Sequence, residues 1–330
     1  MRKSRAVFLS AGGDPFIATL VMRLWKERWY DEIDKFYVCY NNHADVPLDV
    51  AQEFIALAMT DPKVQIIYHP EGVGNGTPIT EMALIAKEDL VLLLEDDGFI
   101  FDSGEVNVAF KLIEEGAADA VGSPRGSCGQ EVTDAMIKKY NIDISGLGDK
   151  GVNYWPNFFF CKREDLLKTD LNMASKHFPK GEYFKELDHT FTEDNYGDTF
   201  VWADIQMRYN GVRFGEVPQY HASPEEIDYH EAKQDKWVDG LNIGWIHGGS
   251  LSSGLSGYLS GSLPDVSTES AKLEIETRCA FWQIAIDTTE GYSIFKSVYE
   301  KGLADLILGA NLSPDRVHKK YNIYRNLLQL

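Results

Sequence analysis

Leu90-Val91-Leu92-Leu93-Leu94 is followed without a break by Glu95-Asp96-Asp97. An aliphatic run this short and uniform reads as a strand buried on both faces, the state of a central strand in a parallel sheet. The sheet must then be covered on both sides. The three carboxylates must sit at the C-terminal end of the strand, where open α/β sheets place their ligands. Adjacent carboxylates repel one another unless protons or a cation neutralise them. Hard divalent cations such as Mg²⁺ and Mn²⁺ take oxygen ligands and share their shell with substrate phosphates. An isolated acidic run is more often a solvated strand end or a cap for a following helix, so the surrounding sequence has to decide between the two.

That sequence alternates as a doubly covered sheet requires. Strand patterns at 6–10, 36–40 and 64–68 are separated by helical patterns at 15–29 and 48–59. Ile17, Leu20, Val21 and Leu24 follow i, i+3, i+4, i+7 spacing, Pro15 suits a first helical position, and Asp61-Pro62 stops the second helix. Thr77 as cap and Pro78 at the first position open a third helix, which buries Ile79, Met82, Ala83 and Ala86. Strand–helix alternation argues a mostly parallel sheet, and right-handed crossovers bring the strand C-termini to one edge. Gly12-Gly13, Asn41-Asn42, Gly74-Asn75-Gly76 and Glu95-Asp96-Asp97 therefore converge. The spacing further predicts helix at 105–116, strand at 118–123 and 157–161, a short helix to 168, helix at 198–209 and strand at 212–217. Residues 177–195 read as irregular. Residues 225–236 read as a charged helix and 237–261 as a Gly/Ser-rich lid carrying Trp245 and His247. Helical patterns fill 268–287, 292–308 and 314–328. The expected division is a domain at 1–222 and, at 223–330, a lid with a helical C-terminal extension.

Composition excludes some functions. The chain has 330 residues, 44% hydrophobic and 25% charged, with a net charge of −19. That field does not steer it to nucleic acid or to an anionic membrane surface. Cys39, Cys128, Cys161 and Cys279 are scattered without a CxxC pair or metal spacing, as in a reducing compartment. No signal-peptide pattern or membrane-length apolar run is present, so the expected location is cytoplasmic. GxxxxGK[ST] and a GxGxxG after the first strand are both absent.

Taken together, the order of these features resembles the GT-A fold of nucleotide-sugar-dependent glycosyltransferases, closest to the inverting family 2, over roughly residues 5 to 222. The resemblance implies a Rossmann-like α/β sheet. Its first strand and turn, Ser10, Ala11 and Gly12, would hold the nucleotide base. Asn41, Asn42 and Asp45 would contact the base or ribose, and Asn75 and Gly76 would open the helix after the third strand. Glu95-Asp96-Asp97 stands where the family has its D-x-D motif. Asp97 is then the first choice of direct metal ligand, Glu95 fills the first acidic position, and Asp96 lies toward the ribose or a metal-bound water. Val217-Pro218-Gln219-Tyr220-His221 resembles the family's later strand end, which makes His221 a further metal ligand. Asp198, Arg208 and Gly211 resemble the catalytic helix.

The implied reaction is transfer of a sugar from a nucleotide-sugar donor, a UDP-sugar for preference, to a hydroxyl of a carbohydrate or glycoconjugate. It uses Mn²⁺ or Mg²⁺ and inverts the anomeric centre. Inverting transfer needs a base for the acceptor hydroxyl. Asp198 is the candidate, with Glu193 and Asp194 behind it, while the plainer role for Asp198 is a helix N-cap. His247 would touch the diphosphate when the lid closes. Arg125, Lys162 and Arg163 are candidate phosphate or acceptor contacts. Two rival readings remain at this point. One is a sugar-phosphate nucleotidyltransferase, which needs a basic residue where Asp14 stands. The other is a non-catalytic carbohydrate-binding protein of the same fold.

Overall fold

The computed structural model describes residues 2–12, 14–42, 46–74, 76–122, 127–143, 152–216, 245–247, 268–288, 293–328 and 330. The first half alternates as expected: β1 (Arg5–Ala11), α1 (Pro15–Leu24), β2 (Lys35–Asn41), α2 (Leu48–Ala58), β3 (Val64–His69), α3 (Gly76–Ile85) and β4 (Leu90–Glu95). There follow β5 (Gly98–Ile100), α4 (Ser103–Glu114), β6 (Ala120–Gly122), α5 (Gln130–Tyr140), β7 (Phe159–Lys162), α6 (Arg163–Leu167), α7 (Val201–Tyr209) and β12 (Phe214–Glu216). Between α6 and α7 lie four short strands, β8 (Lys176–Phe178), β9 (Tyr183–Phe184), β10 (His189–Thr190) and β11 (Asn195–Gly197).

Among the described residues the main sheet has seven strands in the order β12-β6-β7-β4-β1-β2-β3. β4 pairs parallel to β1, β1 to β2, β2 to β3 and β12 to β6, whereas β7 runs antiparallel to both β4 and β6. The run at 90–94 is thus central and fully buried. Its period-2 geometry deals side chains to two cores. Val7, Leu9, Phe36, Val38, Leu90, Leu92 and Leu94 enter one core. Ala6, Phe8, Tyr37, Cys39, Val91 and Leu93 enter the other, under α3.

Three expectations change in detail. The antiparallel direction of β7 is not visible in its uniformly apolar sequence. The helix α5 was not anticipated, because Val132, Ala135 and Met136 give it only a narrow buried stripe. Residues 177–195 pair as β11 with β8 and β10 with β9, in strands of two or three residues, too short to show alternation. Their aromatic residues Phe178, Phe184 and Phe191 form a separate small core with Trp202.

The C-terminal helices are α8 (Glu269–Thr288), α9 (Ser293–Gly309) and α10 (Pro314–Leu327). They belong to the same core as α1, α2 and the sheet. Ile275, Cys279, Phe281, Trp282 and Tyr324 share one cluster with Val7, Leu94 and Phe99. Phe281 stacks on Phe99 with ring centroids 4.7 Å apart, directly after the acidic triplet. The expected boundary at 222/223 and the charged helix at 225–236 lie outside the described residues. No helix among the described residues is long and apolar enough to cross a membrane.

This shared core generates a prediction. Phe281 is fully buried between Phe99 and Tyr324, so Phe281→Ala should cost about 3–5 kcal/mol. Urea unfolding followed by circular dichroism and by tryptophan fluorescence should still give one coincident transition. Two separated transitions would mean that the C-terminal helices fold apart from the sheet.

Candidate functional site

Strand direction puts the C-terminal ends of β1, β2, β3, β4 and β6 at one edge of the sheet. Ser10 is in register with Glu95, so the turn after β1 lies beside the acidic triplet. The Gly12 N–H donates to Asp96 Oδ2 at 2.9 Å. Asp96 and Asp97 are buried, and Glu95 is half-buried. The Glu95 N–H donates to Asn157 Oδ1, and Gly98 leaves room for that amide, since a Cβ there would meet the Asn157 oxygen at 2.3 Å. Burial is the main reason that Asp96 titrates well above the usual carboxylate range. The charges of Asp97 and Asp14 come next, that of Glu95 contributes, and the Gly12 hydrogen bond works the other way. Like charges gathered in this way draw a cation, and the donors are all oxygen, as Mg²⁺ and Mn²⁺ prefer, although no three of the described acidic side chains here bring their ligand atoms within 4.8 Å of one another.

Asp14 was not among the expected site residues. It is fully buried and accepts from Trp282 Nε1 at 3.0 Å, from the Tyr299 hydroxyl and from the Ile17 N–H at 3.2 Å. Helices α8 and α9 therefore hold the first loop from one side while Asp96 holds it from the other. A sequence signal did exist: Asp14-Pro15 at a helix start is a capping pattern, but its partners lie 268 and 285 residues away.

Asn41 and Asn42 reach the edge but are engaged with backbone. Asn41 exchanges two hydrogen bonds with Val73, at 2.7 and 2.6 Å. Asn42 bonds the Val46 carbonyl and N–H at 3.1 and 2.9 Å. Both brace the loops around the site. Gly76 begins α3, and a Cβ there would sit 2.1 Å from the Ala174 nitrogen, so the helix start is pressed against the 173–174 backbone. Phe200 N–H donates to the Met173 carbonyl, which ties the start of α7 to the same place.

Asp198 is half-buried two residues before the cap position of α7. That cap is Phe200, left-handed at φ 73° and without a side-chain cap bond. The Asp198 N–H donates to the Ser127 carbonyl, beyond the end of β6, and its carboxylate accepts the Thr199 N–H at 2.7 Å. The plainer role, an N-cap of a helix opening at 198, is therefore not what the residue does. Glu193 and Asp194 are exposed. Asp194 accepts the Lys180 N–H at 3.0 Å and serves its own hairpin. Arg208 is a structural partner: it pairs with buried Asp204 at 2.6 Å and lies over Phe214. Lys162 pairs with Asp119 at 2.6 Å, and Arg163 donates to the Glu88 and Ala83 carbonyls.

The short strand β13 (Trp245–His247) pairs antiparallel with β5 and sets His247 opposite Gly98, the residue after Asp97. Part of the expected lid thus forms a strand beside the triplet. Gly13, Asp45, Asn75, Arg125, Val217-Pro218-Gln219-Tyr220 and His221 lie outside the described residues.

No family model matches the chain, and no curated protein matches it. Solved structures do. One is the mannosyltransferase PcManGT from Pyrobaculum calidifontis in complex with GDP-Man and Mn²⁺. Its TM-score is 0.45 at 10% identity, over 97% of this chain and 74% of that one. Another is S. aureus TarS 1–349, with TM-score 0.40 and 12% identity over 98% and 91% of the two chains. A third is GalNAc-T7 with UDP, GalNAc and Mn²⁺, at TM-score 0.36 and 9% identity over 52% and 37%. At these values the functional reading rests on this chain's own residues.

One carboxylate outside the triplet organises the segment before Asp198. Glu131 accepts from His189 Nε2, the Thr192 N–H and hydroxyl, the Glu193 N–H and Asn195 Nδ2. Burial opposes its charge, but the hydrogen bonds from His189, Thr192 and Glu193 outweigh it and bring the carboxyl down to about 2. Because the folded value lies below the unfolded one, the clasp is complete above roughly pH 4.3 and is lost as pH falls toward 2. Hydrogen exchange at residues 189–195 should accelerate in Glu131→Gln at neutral pH. Unchanged protection there would remove the clasp.

Proposed function

We propose that this protein is a metal-dependent glycosyltransferase of the GT-A fold, which transfers a sugar from a nucleoside-diphosphate sugar to a hydroxyl of a carbohydrate or glycoconjugate acceptor. The observation that carries the reading is the Glu95-Asp96-Asp97 edge, with Asp96 and Asp97 buried and Asp96 bonded to the first loop through the Gly12 N–H. Those acids suit Mn²⁺ or Mg²⁺ as ligands, with Asp97 and Glu95 toward the ion. When bound, the cation neutralises charge gathering on the leaving diphosphate. His221 is the candidate further ligand, and His247, set opposite Gly98, the candidate diphosphate contact.

Ser10, Ala11, Gly12 and Gly76, with Asn75, frame the nucleotide. Asn41 and Asn42 hold the backbone of that pocket in place. Asp198 takes the acceptor proton in an inverting displacement, with Glu193 and Asp194 as second choices. UDP-sugars are the first donors to test and GDP-sugars the next, in a cytoplasmic setting. The domain at 1–222 supplies the chemistry, and the segment at 223–330 closes and buttresses it. Asp14, buried against Trp282 and Tyr299, speaks against a nucleotidyltransferase, which would need a basic residue in that loop.

Two outcomes test this. Calorimetric titration of UDP and GDP should show affinity that depends on Mn²⁺ or Mg²⁺, and Asp97→Ala should remove most of that dependence by deleting an anionic ligand. Equal affinity in EDTA would take the metal out of the reading, and no nucleotide affinity under any condition would leave only a binding protein of the same fold. For the base, Asp198→Asn should preserve nucleotide binding and lower transfer about 10²–10⁴-fold, the usual worth of general base catalysis. Full activity in Asp198→Asn together with loss in Glu193→Gln or Asp194→Asn would move the base upstream.

A further inference from the structure

On the opposite side of β2 and β3 from the C-terminal helices, three unlike donors meet under α3. Cys39 faces Ile67 in the β2–β3 register and His69 faces Asn41, so the two side chains are two positions apart along one face. Glu81 comes down onto that face from α3. The His69 Nε2 and Glu81 Oε2 atoms are 2.7 Å apart, and the Cys39 Sγ lies within 4.8 Å of both. Cys39 is fully buried, whereas the His69 and Glu81 side chains keep 21% and 35% of their exposure, so the cluster opens to solvent on one side.

We infer that Cys39, His69 and Glu81 form a binding site for a borderline-soft divalent cation of the Zn²⁺ class, separate from the carboxylate edge. Three observations carry it. The donors are a thiol, an imidazole and a carboxylate, a set that selects Zn²⁺ over Mg²⁺ or Mn²⁺. They come from three elements, so the cation would tie two strands to a helix. In a tetrahedral shell with bonds of about 2.0–2.3 Å, ligand atoms stand roughly 3.3–3.8 Å apart. The pair at 2.7 Å then opens slightly and the thiol closes in, with the fourth position left to water from the open side.

Binding releases the Cys39 thiol proton to solvent and places the thiolate on the metal, with no change of oxidation state. The site also bears on the edge. The His69 carbonyl accepts the Asn42 N–H at 3.0 Å and the Gly72 N–H at 3.5 Å, so fixing His69 fixes the loop that Asn41 and Asn42 brace.

Co²⁺ titration of the full chain is the test, because cobalt bound to a thiolate gives a near-ultraviolet charge-transfer band that a carboxylate site does not. One equivalent should develop this band together with tetrahedral d–d absorption, and Zn²⁺ should displace it. Cys39→Ser should abolish the band, and His69→Ala and Glu81→Gln should weaken Zn²⁺ binding by at least about tenfold. Asp97→Ala should leave it unchanged. No thiolate band in the unmodified protein would overturn the inference without recourse to any variant. So would its persistence in Cys39→Ser, where Cys128, Cys161 and Cys279 remain, or its loss in Asp97→Ala.

Discussion

Carboxylates buried side by side at the end of the central strand are the constraint on which the rest of the site depends. Asp96 and Asp97 are buried side by side, and Asp14 lies close enough to raise the proton affinity of Asp96. Isolated charges in such a place are costly unless paired or coordinated. The fold answers with backbone and side-chain donors: the Gly12 N–H for Asp96, and Trp282, Tyr299 and the Ile17 N–H for Asp14. Donors of this kind hold the carboxylates in position while the like-charge repulsion among them remains.

The C-terminal helices have their clearest role in this context. Stacking of Phe281 on Phe99 and the bonds to Asp14 place α8 and α9 behind the first loop and the strand that follows the triplet. The loop is therefore held from both sides. A site built on held loops loses less in ordering when it binds a ligand. The Glu95 N–H bond to Asn157 and the Asn41 exchange with Val73 extend the same principle along the edge. Among the described residues most of these polar groups serve to fix backbone.

Several features of the edge were legible because their signal is local. The apolar run and its three acids announce both a buried strand and a polar end. Gly12 and Gly76 fall at strand-to-helix turns, where close approach is needed. Asn41 ends β2 and Asn42 follows it at this edge, as the loop after that strand predicts, but the hydrogen bonds they make are to Val73 and Val46 backbone, which no local pattern reveals. Asp198 looked like a helix start by spacing. The helix begins at Val201 because Phe200 turns left-handed and its N–H bonds Met173, a contact between segments far apart in the chain. Cys39, His69 and Glu81 carry no recognisable metal spacing, since strand register and helix placement bring them together.

The sequence by itself determined the alternation of β1 to β4 with their helices, the two-faced burial of residues 90–94 and the clustering of polar loops at one edge. Each of these follows from periodicity and turn chemistry within a few residues. Only the tertiary structure decided the antiparallel course of β7, the pairing of β13 beside Asp97, the fusion of the C-terminal helices with the sheet's core and the anchoring of Asp14 from 268 residues away. The physical reason is that strand direction, register and the partner of a buried carboxylate are set by what packs against an element. A uniformly apolar strand or a single aspartate fits several such environments equally well until the rest of the chain has closed around it.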